Sequence, residues 1–145
     1  MKRVFVDTSY YVAVLNPQDE HHEAARAWSD IAGQTFVVTD FVLLEVANLV
    51  AGSPKRRTMR QFIHGMRADP ETVLFSVSKE LFDAGLDVYD RRPDKDWSLT
   101  DCISFVVMER EGQKEALTAA SKLCNWSCRE SEAVLPGAPQ RPPES

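Results

Sequence analysis

Three carboxylates occupy unusual surroundings: Asp7 directly follows the apolar run RVFV, Glu45 lies inside FVLLEVANLVA, and Asp101 heads the apolar stretch after WSLT. Each has an ordinary structural role open to it. Asp7 suits a helix N-cap, Glu45 a polar stripe, and Ser98 with Asp101 has the S-x-x-D spacing of a capping box. Taken together they suggest chemistry. Two carboxylates about 4 Å apart repel by roughly 4 kcal/mol at an effective dielectric of about 20, so a cluster of three calls for a cation. An all-oxygen donor set suits a hard divalent ion, Mg2+ or Mn2+, which keeps several of its waters. Such a site holds a phosphodiester and generates the attacking hydroxide from bound water, with one metal or two.

The elements around these residues alternate. A strand at 3–6 is followed by a short helical stretch at 10–15, a helix at 21–31, a second strand at 35–40 and an apolar helix from about 41. That helix is apolar nearly all round and is expected to be buried, which would leave Glu45 needing a partner, a proton or a cation. A helix at 55–67 follows, with Met59, Phe62, Ile63 and Met66 on its apolar face, then a strand over TVLFSVS and a helix at 79–89. The last helix begins near Leu99 and ends at Gly112, before a short strand, EALTA. Strands alternating with helices predict an α/β three-layer sandwich around a central, mostly parallel sheet. Asp7 then falls at a strand's carboxyl end, where ligands bind in such sheets.

The chain has 145 residues, enough for one domain with a substantial core. Its hydrophobic share of 43% and charged share of 27% are ordinary for a globular protein. No apolar stretch approaches the length that spans a bilayer, and the amino-terminal sequence does not read as a secretion signal, so the cytoplasm is the expected location. Three cysteines, at spacings that match neither a zinc site nor a disulfide framework, fit reduced thiols. A net charge of -5 argues against coating nucleic acid by bulk electrostatics but leaves room for a local basic stripe. Beyond residue 119 the periodic pattern decays into a Pro-rich tail, expected to be disordered. The domain reading is therefore 1–119 plus an atypical segment, 120–145.

The blocks VFVDTSYYVAVLN, TDFVLLEVANL, KDWSLTDCISFVVMEREG and EALTA, in that order, resemble the PIN-domain proteins, especially the VapC-like toxins of bacterial toxin–antitoxin pairs. WSLTDCISF is the most specific part of this resemblance. It implies a magnesium-dependent endoribonuclease with RNA as substrate, an antitoxin protein as partner and a homodimer as a further assembly. By position, Asp7, Glu45 and Asp101 match the family's first three acids, as catalytic residues and metal ligands. Thr8 or Ser9, and Ser98 or Thr100, match hydroxyls that support the acids or metal-bound waters. The family's fourth acid follows the last strand, where this chain has Ala120. Losing that acid weakens metal affinity or leaves a two-metal mechanism incomplete.

PKRRTMRQFIHGMR places Arg56, Arg60 and His64 on one helical face, with Lys55, Arg57 and Arg67 nearby. Arg56 and Arg60 there form a surface for tracking RNA phosphates, or for receiving an acidic segment of an antitoxin. The ordinary alternative is a solvated face. His21 and His22 read as surface residues at a helix start. Two other functions compete with the ribonuclease: a PIN domain that binds RNA or antitoxin without cutting, which Ala120 favours, and an aspartyl-phosphate phosphatase. The phosphatase needs a second acid two residues after Asp7, where this chain has Ser9.

Overall fold

The computed structural model describes residues 2–29, 34–112 and 116–117. β1 (Lys2–Val6) leads into α1 (Thr8–Leu15) and α2 (His22–Ser29), and β2 (Gln34–Thr39) into α3 (Asp40–Leu49) and α4 (Arg56–Ala68). β3 (Val73–Phe75), α5 (Lys79–Arg91), α6 (Leu99–Arg110) and β4 (Ala116–Leu117) complete the order. The fold is α/β, as the alternation predicts. The expected strand over TVLFSVS shortens to three residues, Val73–Phe75, because Ser76 and Val77 are already exposed beyond the sheet.

The four strands lie in the order β3-β2-β1-β4, and every pairing is parallel. Phe5 on β1 is matched with Val37 on one side and Ala116 on the other, which makes β1 an interior strand. Val4, Phe5, Val6, Val37, Val38 and Thr39 are all fully buried, the near-continuous burial of a parallel sheet covered on both faces. The right-handed rule for crossovers between parallel strands assigns α1 to α4 to one face and α5 with α6 to the other. The contacts divide the same way: α1 packs on α2 and α3, α3 on α4, and α5 on α6, with α3 also meeting α6.

The sheet reverses its direction of growth at β1. From β1 the chain moves outward to β2 and β3, then returns to place β4 on β1's other side. This is a topological switch point, and the crevice at the carboxyl ends of β1 and β4 is where such sheets bind ligands.

The helix buried all round is α6, not α3. Cys102 through Met108 are all buried, and α6 ends as its sequence predicts, on Gly112 at φ +62°. On α3 only Val42, Leu43 and Val46 are buried, whereas Leu44 is 55% and Leu49 64% exposed. Apolar composition overstated the burial of α3 because, among the described residues, no element lies over one side of the helix. On α4, Met59 is buried and Phe62, Ile63 and Met66 pack against the core, the face its periodicity predicts. The segment 120–145, and all but two residues of the last predicted strand, lie outside the described residues.

Candidate carboxylate site and basic groove

Asp7 is the first residue after β1 and only 5% exposed. It caps α1: its Oδ1 accepts from the Tyr10 N–H at 3.2 Å and from the Ser9 hydroxyl at 2.7 Å. The capping role and the strand-end position therefore coincide. The buried charge is felt next door. Burial, then Tyr10, then Asp7 push the Tyr11 phenol far above its ordinary pKa, and its hydroxyl donates to Met66 Sδ at 3.2 Å.

Asp101 reaches the same edge of the sheet by a different route. α6 precedes a parallel strand and so runs opposite to it, which brings its amino terminus to the strands' carboxyl ends. The capping box is complete: Ser98 Oγ accepts from the Asp101 N–H at 3.0 Å, and Asp101 Oδ2 accepts from the Ser98 N–H at 2.9 Å. Trp97, just before the cap, is buried with its ring 4.8 Å from Phe105, and Arg92 and Lys95 lie over its face at 5.2 and 5.8 Å. This packing fixes where α6 begins. Cys102 follows, buried and free, its thiol raised to about 11 by burial and by the Asp101 charge.

Glu45 sits in the second turn of α3, the helix that packs against both α1 and α6. It is half-buried and has no hydrogen-bond or ion-pair partner among the described residues. The fully apolar environment predicted for it is absent, because Leu44, Asn48 and Leu49 beside it face outward.

The topology thus carries Asp7 and Asp101 to one edge and sets Glu45 on a helix between their elements. Among the described residues, however, no three His, Cys, Asp or Glu side chains converge closely enough to hold a metal ion. Asp7 and Asp101 instead bond the amides of their own helix starts. Of the supporting hydroxyls, Ser9 bonds Asp7 and Ser98 caps Asp101, whereas the Thr8 and Thr100 side chains make no hydrogen bond among the described residues. Ala120 lies outside the described residues.

A fourth acid, Asp40, stands at the carboxyl end of β2 and has a different task. Thr39 caps α3 by accepting from the Val42 N–H at 3.2 Å. Asp40 accepts from Arg67 on α4 and from the Val77 N–H, both at 3.2 Å, tying α3 to the end of α4 and the exit of β3. Both partners are remote in sequence, so no local signal announces the clamp. The histidine expectation is also corrected. His21 is buried with Nε2 3.3 Å from Glu20, and His22 is half-buried with its Nδ1–H donating to the Ala13 carbonyl at 2.7 Å. They anchor the turn between α1 and α2.

Arg56, Arg60 and His64 do share one face, and α3 supplies the opposite wall. Together they border a groove of about 330 Å3, with Met59, Ile63 and Val50 in its floor and Asn48 on the α3 side.

A sequence profile of the PIN domain matches residues 4–124. The chain belongs to the PIN-domain family. Among solved structures, this PIN domain is similar to Mycobacterium tuberculosis VapC20, described as a sarcin-ricin loop cleaving toxin. The TM-score is 0.76 at 22% identity, covering 88% of this chain and 98% of that one. It is also similar to FitAcB from Neisseria gonorrhoeae, with a TM-score of 0.60 at 13% identity over 91% and 96% of the two chains. At these identities the likeness is one of fold. No curated protein sequence matches the chain. None of the described helices is long and apolar enough to cross a membrane.

Proposed function

We propose that this PIN-domain protein is a Mg2+- or Mn2+-dependent endoribonuclease, acting in the cytoplasm as the toxin of a type II toxin–antitoxin pair. The carrying observation is Asp7, a buried carboxylate at the carboxyl end of an interior parallel strand, at the point where the sheet reverses. Asp101 opens a helix at that edge, and Glu45 rides on a helix packed against both elements. The donor set fits a hard divalent cation, because all three side chains offer only oxygen. Asp7, Glu45 and Asp101 would hold the metal, which when bound supplies a deprotonated water and neutralises phosphate charge. Ser9 keeps Asp7 oriented through its 2.7 Å hydrogen bond, and the Ser98 backbone N–H, 2.9 Å from Asp101 Oδ2, does the same for Asp101. Arg56 and Arg60 hold the RNA backbone beside the cleaved bond. The likeness to VapC and Fit proteins supports an antitoxin partner; assembly with a second copy of the chain is part of the proposal.

The test is Asp7→Asn, assayed for metal-dependent RNA cleavage alongside its melting temperature. Loss of cleavage with folding retained supports the assignment; a variant with full, metal-dependent cleavage removes it.

A second reading, a PIN domain that binds RNA or antitoxin without cutting, draws on two observations. The Asp7 and Asp101 carboxylates are engaged by their own helix starts, and Ala120 stands at the fourth acid's position in sequence. RNA binding without turnover in excess Mg2+ or Mn2+ would favour it.

A further inference from the structure

We infer that the groove between α3 and α4 is a subsite for one unpaired nucleotide beside the cleaved phosphodiester, with Asn48 and His64 reading its base and Arg56 and Arg60 holding its phosphates. The inference rests on the ribonuclease reading and assigns the groove to the RNA itself.

Charge is the first argument. Six of the described cations are matched by carboxylates: Arg3 by Glu111, Arg67 by Asp40, Lys79 by Asp83, Arg91 by Asp87, Arg92 by Asp94 and Arg110 by Glu80. Arg56 and Arg60 have no carboxylate partner among the described residues; Arg56 meets only the Ala51 carbonyl, at 3.4 Å. They also stand near the start of α4, which has no acid in its first turn and no side-chain cap. Cations there oppose the helix dipole, and a phosphate relieves the conflict. In a chain of net charge -5, Arg56 and Arg60, with Lys55 and Arg57 beside them in sequence, form a positive patch that complements a polyanion.

Size and lining are the second. At about 330 Å3 the groove accepts a planar base with its sugar. Two turns of an α-helix about 10–12 Å across occupy on the order of 1,000 Å3, so a helical partner would seat a single side chain there. Met59, 2% exposed, and Ile63 give the base an apolar surface to lie on. The Asn48 amide presents a donor and an acceptor side by side, the arrangement that pairs with a base edge, and the His64 ring offers a nitrogen on the other wall.

Position is the third. Asn48 is three residues after Glu45 on α3, one turn and roughly 5 Å along the axis. A nucleotide in the groove is therefore a near neighbour of the candidate catalytic carboxylate.

The experiment uses the full chain and labelled single-stranded RNAs of about eight nucleotides, a length within the usual span of single-strand sites. The probes are the four homopolymers and an abasic strand, read by fluorescence anisotropy without added divalent metal, with cleavage followed separately in Mg2+. Wild type should prefer one homopolymer by at least tenfold, and Asn48→Ala and His64→Ala should each flatten that preference while leaving the abasic strand's affinity unchanged. Arg56→Ala and Arg60→Ala should weaken all five probes alike and reduce the salt slope by about 0.7 for each phosphate that is no longer neutralised. An abasic strand bound as tightly as the preferred homopolymer overturns the subsite. RNA binding indifferent to all four substitutions also overturns it, and would assign the groove to a protein partner. Cleavage separates the two proposals: base preference abolished by Asn48→Ala but no turnover in wild type sinks the ribonuclease and keeps the subsite. Turnover with an unaltered preference in both Asn48→Ala and His64→Ala does the reverse.

Discussion

Asp101 serves two purposes that substitution can separate. In Asp101→Asn the side-chain oxygen still accepts from the Ser98 N–H, now 2.9 Å away, so half of the capping box survives. What disappears is a negative charge at the amino terminus of α6, about 0.3–1 kcal/mol. In Ser98→Ala the Asp101 N–H loses its acceptor, 3.0 Å away, and the cap costs about 1 kcal/mol. For a domain of this size 1 kcal/mol is roughly 3–6 °C in Tm, so both variants should melt within a few degrees of wild type. Their activities should differ sharply. Asp101→Asn removes a proposed metal ligand and should lower cleavage at limiting Mg2+ by at least about 100-fold, more than a supporting partner accounts for. Ser98→Ala should lower it by only about tenfold, recoverable with more Mg2+ because the carboxylate is still present. The assay pairs thermal unfolding with RNA cleavage across a Mg2+ titration. Equal activity losses that track Tm in both variants would reduce Asp101 to a helix cap and refute the reasoning.

Other consequences are as definite. A Cβ at Gly85 would lie 2.3 Å from Ile103 Cγ1 and 3.1 Å from its backbone, so Gly85→Ala should destabilise by about 1–3 kcal/mol in urea unfolding, despite alanine's higher helix propensity. Gly65, mid-helix on α4 with nothing near its missing Cβ, should do the opposite, gaining about 0.5–1 kcal/mol as Ala. Glu45→Gln should leave Tm within about 1 °C, since Glu45 has no partner among the described residues, and still reduce cleavage. Unchanged cleavage would remove Glu45 from the site. The Cys102 thiol, raised to about 11, should resist alkylation in the native protein at neutral pH. Because its folded pKa lies above the unfolded value, its contribution to stability is complete below the unfolded pKa and is lost as pH rises from there through 11, a loss that Cys102→Ala should abolish.

Local sequence chemistry determined much of this protein. The turn from β1 into α1 at the Asp7 cap, the start of α6 at the Ser98–Asp101 box and its end at Gly112 are set by contacts among residues a few positions apart. The basic face of α4 is legible for the same reason, since helical periodicity alone aligns Arg56, Arg60 and His64. The order of strands and helices, together with the WSLTDCISF block, pointed to the PIN fold.

Tertiary structure decided what depends on neighbours far along the chain. Both α3 and α6 look apolar, yet α6 is buried from Cys102 to Met108, while α3, with no element over its outer side among the described residues, exposes Leu44 and Leu49. Asp40 finds Arg67 and Val77 only once α4 and β3 fold against α3, and His21 reads as exposed until the α1–α2 turn folds over it. The groove exists only because α3 lies beside α4, which gives the arginines an apolar floor and an amide opposite them. Residue types and short spacings determine which groups can cap, ligate or bind phosphate. The side of a helix that is covered, and the partner a carboxylate finds, are set by packing across the sheet, which no local pattern encodes.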